Sequence, residues 1–343
     1  MHFLYSNSQL KKNIILYGAG DIAFEFFKIF RRFEDIIIVD DYNYGKTFNV
    51  NGFKFKIRNP KIIKNLINHQ VIITTRYLDS IKARIQKIDF LIFFIDYKKK
   101  NFIKSSNKKF IEIKLIRKYL KNNSLKLFDI IIDIKNRKKT IKTLHKYLSK
   151  NSFGPQYQSF CPKNISTFID VGFYNGLTSF DMLKKYKSIK KIIAIDPFNL
   201  QKNQFLTYIK SQTKFRFIKF AASKVKKIGK IYIDPNPTNN SVKFKTNNYK
   251  LINFDKLDNK IKVLDENSFI KFDIEGAELD ALKGMSEIIK NYKPNLAVSI
   301  YHGSNDFFEI PHYLIKNYSN IYKFEIRHYS FGHNETVLYA IVK

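Results

Sequence analysis

A single cysteine, Cys161, stands among 343 residues, so the chain has no internal disulfide and no paired-cysteine metal clasp. Tryptophan is absent, and glycine (12) and proline (8) are scarce, which sets aside collagen-like and low-complexity readings. No apolar run approaches the roughly 18 residues that a bilayer-crossing helix needs. The opening MHFLYSNSQLKK lacks the apolar core of a signal peptide. Acidic residues are also few: 29 Asp+Glu against 62 Lys+Arg leave a net charge of +33. These deficits predict a soluble, cytoplasmic protein.

What is present predicts a folded one. Hydrophobic residues make up 44%, with 33 Phe and 21 Tyr, which excludes wholesale disorder. At about 100–200 residues per domain, the length suits two full cores. The basic excess invites a nucleic-acid reading, because clustered Lys and Arg neutralise phosphates. Here the lysines are spread along the whole chain among Ile, Asn, Phe and Tyr, the mixture an A+T-rich coding sequence produces. That spread argues against a nucleic-acid partner. The densest runs, Lys98–Lys100 and 135–139 (KNRKK), lie between candidate domains and suit peripheral contact with an anionic membrane or glycan.

The first third reads as a strand (Ile14 to Tyr17), a glycine turn, a helical stretch DIAFEFFKIFRRF, and a second strand DIIIVDD. This is the opening βαβ unit of a dinucleotide-type fold. Gly18 and Gly20 allow a tight turn and close approach of a pyrophosphate, and Ala23 takes the third small position. Asp40 ends the second strand where a ribose-binding acid sits. Strands QVIITT (70–75) and DFLIFFID (89–96) complete a small parallel domain over 1–97. It is similar to Rossmann-like modules found at the front of some sugar-modifying enzymes. Two readings stay open: a nucleotide or nucleotide-sugar site, or a turn kept only as a folding device. Residues 98–151 read as a basic helical connector. The stretch SFGPQYQSFCP (152–162) suits either a lid over a pocket or a plain surface loop.

The second half carries more chemistry. STFIDVGFYNGLTSFDMLKKY (166–186) is a strand, a D-x-G-x-x-x-G turn and a helix. A nucleoside with a charged amino-acid tail needs backbone close by at Gly172 and Gly176, and an acid, Asp170, near its ammonium. KKIIAIDPF (190–198) ends in Asp196, placed for both ribose hydroxyls. FRFIKFAAS (215–223) reads as a third strand whose small end, including Ala222, admits an adenine edge. A fourth strand runs into Asp273 and Glu275, and PNLAVSIYH (294–302) ends in His302. In an open α/β sheet these carboxyl ends form the ligand crevice. The order of elements points to S-adenosylmethionine rather than NAD.

With these segments the sequence resembles the FkbM-type methyltransferases. The carrying residues are FIDVGFYNGLTS (168–179), IAIDPF (193–198), KFDIEGAELDALKGM (271–285) and HYSFGHNETVLYAI (328–341). Where the family has DVGANxG, Phe173 and Tyr174 follow the first glycine here and Asn175 is kept. The resemblance covers 152–343. It implies a class I methyltransferase doubly wound sheet, and hence two Rossmann-like α/β domains in all. It also implies O-methylation of a sugar, nucleotide-sugar or glycan hydroxyl, with a role in surface polysaccharide biosynthesis. Asp170, Gly172, Tyr174, Asn175, Gly176, Asp196, Ala222 and Glu275 are the expected cofactor residues.

Methyl transfer is an in-line displacement, so the enzyme positions the acceptor oxygen and helps remove its proton. His302 is the favoured proton acceptor, with His328 and His333 as possible pocket residues, each against a structural role. Asp273 and Glu275 either contact cofactor or acceptor directly, or hold a divalent ion, for which oxygen-only ligands favour Mg2+. Glu275 as a helix cap is the bland alternative. Lys283 stands at helical spacing from the glutamates. Two rivals remain: an RNA methyltransferase, and a non-enzymatic two-module nucleotide-binding protein. The first lacks a D/N-P-P-Y/F turn after the fourth strand. DPNP (234–237) falls before that strand.

Overall fold

The computed structural model describes residues 2–5, 12–20, 23–24, 26–27, 35–50, 52–66, 68–74, 81, 90–95, 107–136, 138–139, 141–151, 154–158, 160, 162–233, 240, 242, 247–330 and 334–343. Expectations resting on Lys98–Lys100, Cys161, 234–237 and His333, and most of the helix expected over 21–33, lie outside the described residues. Among the described residues, no helix is long and apolar enough to cross a membrane.

The chain divides into two compact units. One is Met1–Asn101 with Lys139–Gly154 and Tyr329–His333; the other is Phe102–Lys138 with Pro155–His328 and Asn334–Lys343. The stretch expected as a separate connector is shared between them. Its helices Asn107–Tyr119 and Asn122–Lys135 fall in the second unit, and Ile141–Lys150 falls in the first.

The first unit contains strands β1 (His2–Tyr5), β2 (Asn13–Tyr17), β3 (Asp35–Val39), β4 (Thr47–Val50), β5 (Phe53–Lys56), β6 (Gln70–Ile73) and β7 (Phe90–Ile95). The sheet runs β1-β7-β6-β2-β3, with β7, β6, β2 and β3 parallel. Near-continuous Ile, Leu and Val runs suit strands covered on both faces. Ile14, Leu16, Ala23, Phe26, Ile38 and Ile72 form its core. Sequence reasoning missed β1, which pairs antiparallel on the β7 edge, and the β4–β5 hairpin.

The second unit contains β8 (Thr167–Val171), β9 (Lys191–Asp196), β10 (Lys214–Lys219), β11 (Ala221–Ala222), β12 (Lys227–Tyr232), β13 (Tyr249–Asp255), β14 (Ser268–Phe272), β15 (Asn295–Ser299), β16 (Tyr322–His328) and β17 (Thr336–Val342). Its main sheet runs β10-β9-β8-β14-β15-β17-β16, parallel from β10 to β15, with β17 antiparallel to both its neighbours. The order reverses between β8 and β14, so a crevice opens at their carboxyl ends. This is the doubly wound sheet expected. The strand expected over 215–223 is in fact two. After Phe220 the chain leaves the main sheet, and Ala221–Ala222 pairs instead with β13.

Candidate active site

Two loops leave the centre of the second sheet side by side, 172–176 after β8 and 273–277 after β14. At Gly172 φ is +88°, and a Cβ there would overlap the Asp273 carbonyl oxygen, so glycine is required where the loops touch. Tyr174 also takes a left-handed conformation, φ 49°. Its N–H donates to Asp196 Oδ2 at 2.9 Å, while Asp196 Oδ1 accepts from the Phe198 N–H at 2.9 Å. Burial pushes the Asp196 carboxyl pKa up, and these two N–H donors oppose that. Asn175 shapes the turn, its Oδ1 accepting from Leu177 N–H and its carbonyl from Asn203 Nδ2. Gly176 caps the helix Leu177–Lys185. Ala222 is buried in β11.

Asp170 does not stand where a ligand's ammonium can reach it. Its side chain is fully buried, with Oδ1 at 2.9 Å from Lys271 Nζ and Oδ2 at 2.7 Å from Ser179 Oγ. Lys271 sits opposite Asp170 in the β8–β14 register and also donates to the Gly172 carbonyl. Burial alone would lower the Lys271 pKa, but Asp170 and then Asp273 outweigh it and raise it. The acid expected to meet the cofactor is therefore the internal partner of a buried lysine.

On the other side of Gly172 the structure gathers a second set of groups. His302 Nδ1 lies 2.8 Å from Glu278 Oε1, and its Nε2 faces Asp273 Oδ1 at 3.3 Å and Glu275 Oε2 at 3.5 Å. Tyr157 OH bonds Asp273 Oδ2 and Ser299 Oγ, both at 3.0 Å. Tyr301 OH reaches Asp273 Oδ1 at 3.4 Å and Glu335 Oε2 at 3.2 Å, and Gln156 Nε2 donates to the same Glu335 oxygen. Glu278 is fully buried and accepts from the Ile274 and Gly276 N–H groups. Glu278 thereby shapes the turn, while Glu275, for which helix capping was the bland alternative, adopts φ 53° and turns its carboxylate to His302.

Burial would lower the His302 pKa, but Glu278, Asp273 and Glu275 outweigh it and push it up to about 10. The ion-free imidazole thus already holds its proton at neutral pH, which bears against the proton-acceptor role expected of it. Burial, opposed by His302 and reinforced by Asp273, Glu278 and Glu335, raises Glu275 to about 7. Burial, then Asp273 and Glu335, push the Tyr157 and Tyr301 phenol pKa values up. Beside Asp273 and Glu275, the pair expected to offer Mg2+ oxygen ligands only, stands the ring nitrogen of His302.

Other expected residues have partners of their own. His328 is buried at the end of β16, with Nδ1 2.7 Å from Thr336 Oγ1. Lys283 lies over the Tyr313 ring rather than beside a glutamate. In the first unit, Ala19 N–H, between Gly18 and Gly20, donates to Asp40 Oδ2 at 2.9 Å. Asp40 Oδ1 takes Tyr42 N–H, Asn43 N–H and Asn43 Nδ2. Sequence reasoning missed Glu278, Lys271, Ser299 and Glu335; for Glu278, its place inside DIEGAE was the available signal.

Residues 170–326 match the family model described as the methyltransferase FkbM domain. A solved structure, methyltransferase FkbM from Methylobacillus flagellatus KT, is similar over 97% of this chain and 90% of its own, with a TM-score of 0.54. Identity is 18%, so that likeness is one of fold. No curated protein matches the sequence.

Proposed function

We propose, from the match of residues 170–326 to the FkbM methyltransferase domain, that the second unit moves a methyl group from S-adenosylmethionine to a hydroxyl of a sugar or glycan precursor, in surface polysaccharide biosynthesis. The observation that carries this reading is a juxtaposition at the carboxyl ends of β8 and β14. A glycine turn held by Asp196 lies against a cluster of three carboxylates and two phenols.

Most of the expected cofactor residues fit that nucleoside. Asp196 is half-buried at the end of β9 and retains lone pairs beyond its two backbone donors, which suits a ribose diol. Gly172, Tyr174, Asn175 and Gly176 would form the backbone floor, with Ala222 near the base. Asp170 does not fit, since both its oxygens already serve Lys271 and Ser179. When bound, S-adenosylmethionine supplies an electrophilic methyl group on a cationic sulfur.

The cluster supports a hydroxylated acceptor. Asp273, Glu275 and Glu335 accept hydrogen bonds from hydroxyls, and Tyr157 and Tyr301 offer phenol oxygens beside them. A polyol is matched by such a set. A phosphate backbone would meet the carboxylates of Asp273 and Glu335 at the reacting centre, which disfavours RNA as the acceptor. The carboxylates orient the acceptor hydroxyl and receive its proton.

The test is calorimetric titration of the full chain with S-adenosylhomocysteine, followed by assays of methyl transfer to sugars, nucleotide-sugars and glycans. Micromolar binding and turnover on a hydroxylated acceptor support the reading. Absence of binding would sink it and favour a two-module binding protein.

A further inference from the structure

Among the described residues, Asp273, Glu275 and His302 place one donor atom each so that all three lie within 4.8 Å of one another. We infer that they bind one divalent first-row transition cation, through Asp273 Oδ1, Glu275 Oε2 and His302 Nε2. The inference stands on the geometry of the cluster and not on the methyl-transfer reading.

The distances suit a shared ion. Donors at about 2.0–2.2 Å around one cation are separated from each other by roughly 3–3.5 Å. His302 Nε2 lies 3.3 Å from Asp273 Oδ1 and 3.5 Å from Glu275 Oε2. The His302 side chain is only 5% exposed, and its Nε2 is buried with no hydrogen-bond partner. It points into the gap between two carboxylates, where a cation would satisfy all three groups at once.

The surroundings are those of a ligating histidine. Its other ring nitrogen, Nδ1, lies 2.8 Å from the fully buried carboxylate of Glu278. Such a carboxylate fixes ring orientation and raises the basicity of the ligating nitrogen. Glu278 also accepts the Ile274 and Gly276 N–H groups, so one residue holds both the imidazole and the loop that presents Glu275. Tyr157 and Tyr301 orient Asp273 from two sides.

The donor set selects the ion class. Mg2+ prefers oxygen ligands and keeps several waters, whereas an imidazole beside carboxylates suits Mn2+, Fe2+, Co2+ or Zn2+. On binding, the cation takes the place of the Nε2 proton, as metals do at imidazole. Three protein ligands leave at least one position open.

The test uses the full chain, stripped with a chelator and titrated with Co2+ without cofactor or acceptor, read by visible absorption and calorimetry. The expected result is saturation at one equivalent, blocked by prior Zn2+ and unaffected by a hundredfold excess of Mg2+. Asp273→Asn and His302→Gln, checked for folding by circular dichroism, should each weaken binding at least tenfold. Glu278→Gln should weaken it by about 10–100-fold through His302. Failure of the unmodified protein to saturate at one equivalent would overturn the site, as would unchanged affinity in folded Asp273→Asn or His302→Gln. Displacement of Co2+ by Mg2+ would overturn the ion class.

Discussion

The two units carry the same device at the same place in their folds. In each, a glycine turn follows the first parallel strand, and the acid ending the next strand accepts a turn N–H at 2.9 Å: Ala19 to Asp40, and Tyr174 to Asp196. The difference lies around that bond. Asp40 spends its other oxygen on three donors from Tyr42 and Asn43, whereas Asp196 Oδ1 has the Phe198 N–H as its donor among the described residues. Behind the first turn stands Thr74, whose hydroxyl bonds the Gly18 carbonyl. Behind the second stand a buried Lys271–Asp170 pair and the carboxylate–histidine cluster. The bond between turn and acid is common to both units; what differs is what the neighbouring strand end brings to it.

The largest effect should come from removing the group that only the second turn has. Lys271→Met leaves Asp170 charged, fully buried and without its cation. Breaking a buried pair from one side costs about 3–5 kcal/mol. Urea denaturation of the full chain should show the second unit's transition shifted by that amount and the first unit's unchanged. Replacing both partners, Lys271→Met with Asp170→Asn, should recover part of the loss. A Lys271→Met protein of ordinary stability would mean that the pair does not anchor the turn.

Next in size is Gly172→Ala. The added Cβ would overlap backbone at Asp273, and φ is +88°, so neither a side-chain shift nor a rotamer change relieves it. Overpacking and left-handed strain together predict a loss of about 2–4 kcal/mol. Thermal melting checks the value, and a loss below about 1 kcal/mol would show that the two loops are not fixed against each other.

Asp196→Ala and Asp40→Ala then separate device from function. The first should weaken S-adenosylhomocysteine binding about a hundredfold, roughly 2.7 kcal/mol by affinity arithmetic. The second should leave that affinity unchanged while destabilising the first unit by about 1–2 kcal/mol, through the orphaned Ala19 and turn N–H groups. Equal effects of the two on affinity would erase the distinction drawn between the turns.

Much of the frame was legible before the structure. Runs such as NIILY, DIIIV and KIIAID announce buried parallel strands, and the acids at their ends can be counted off the chain. What was not legible depends on pairing across the sheet. Asp170 meets Lys271 because β8 and β14 share a register that sets them opposite, 101 residues apart. Nothing local in D-x-G says whether its acid faces a ligand or a lysine. Likewise FRFIKFAAS is one apolar run, and its break at Phe220 is imposed by pairing with β13. The cluster draws Tyr157 from a loop 116 residues before Asp273, so its presence there could not be read from spacing.

The smallest expected effect belongs to Gly20→Ala, and it tests the first turn most directly. Among the described residues nothing lies within 4 Å of a Cβ position at Gly20, and its φ lies outside the left-handed region. Alanine should thus be neutral, or stabilising by about 0.4–1 kcal/mol through the unfolded chain's lost freedom. A dinucleotide site would behave otherwise, because close approach of a pyrophosphate to that backbone leaves no room for a methyl group. Melting the full chain with and without NAD or a nucleotide-sugar decides between these. No ligand-induced rise in Tm in either protein is expected from a turn that serves only the fold. A rise in the unmodified protein that Gly20→Ala abolishes would make the first turn a binding site in its own right.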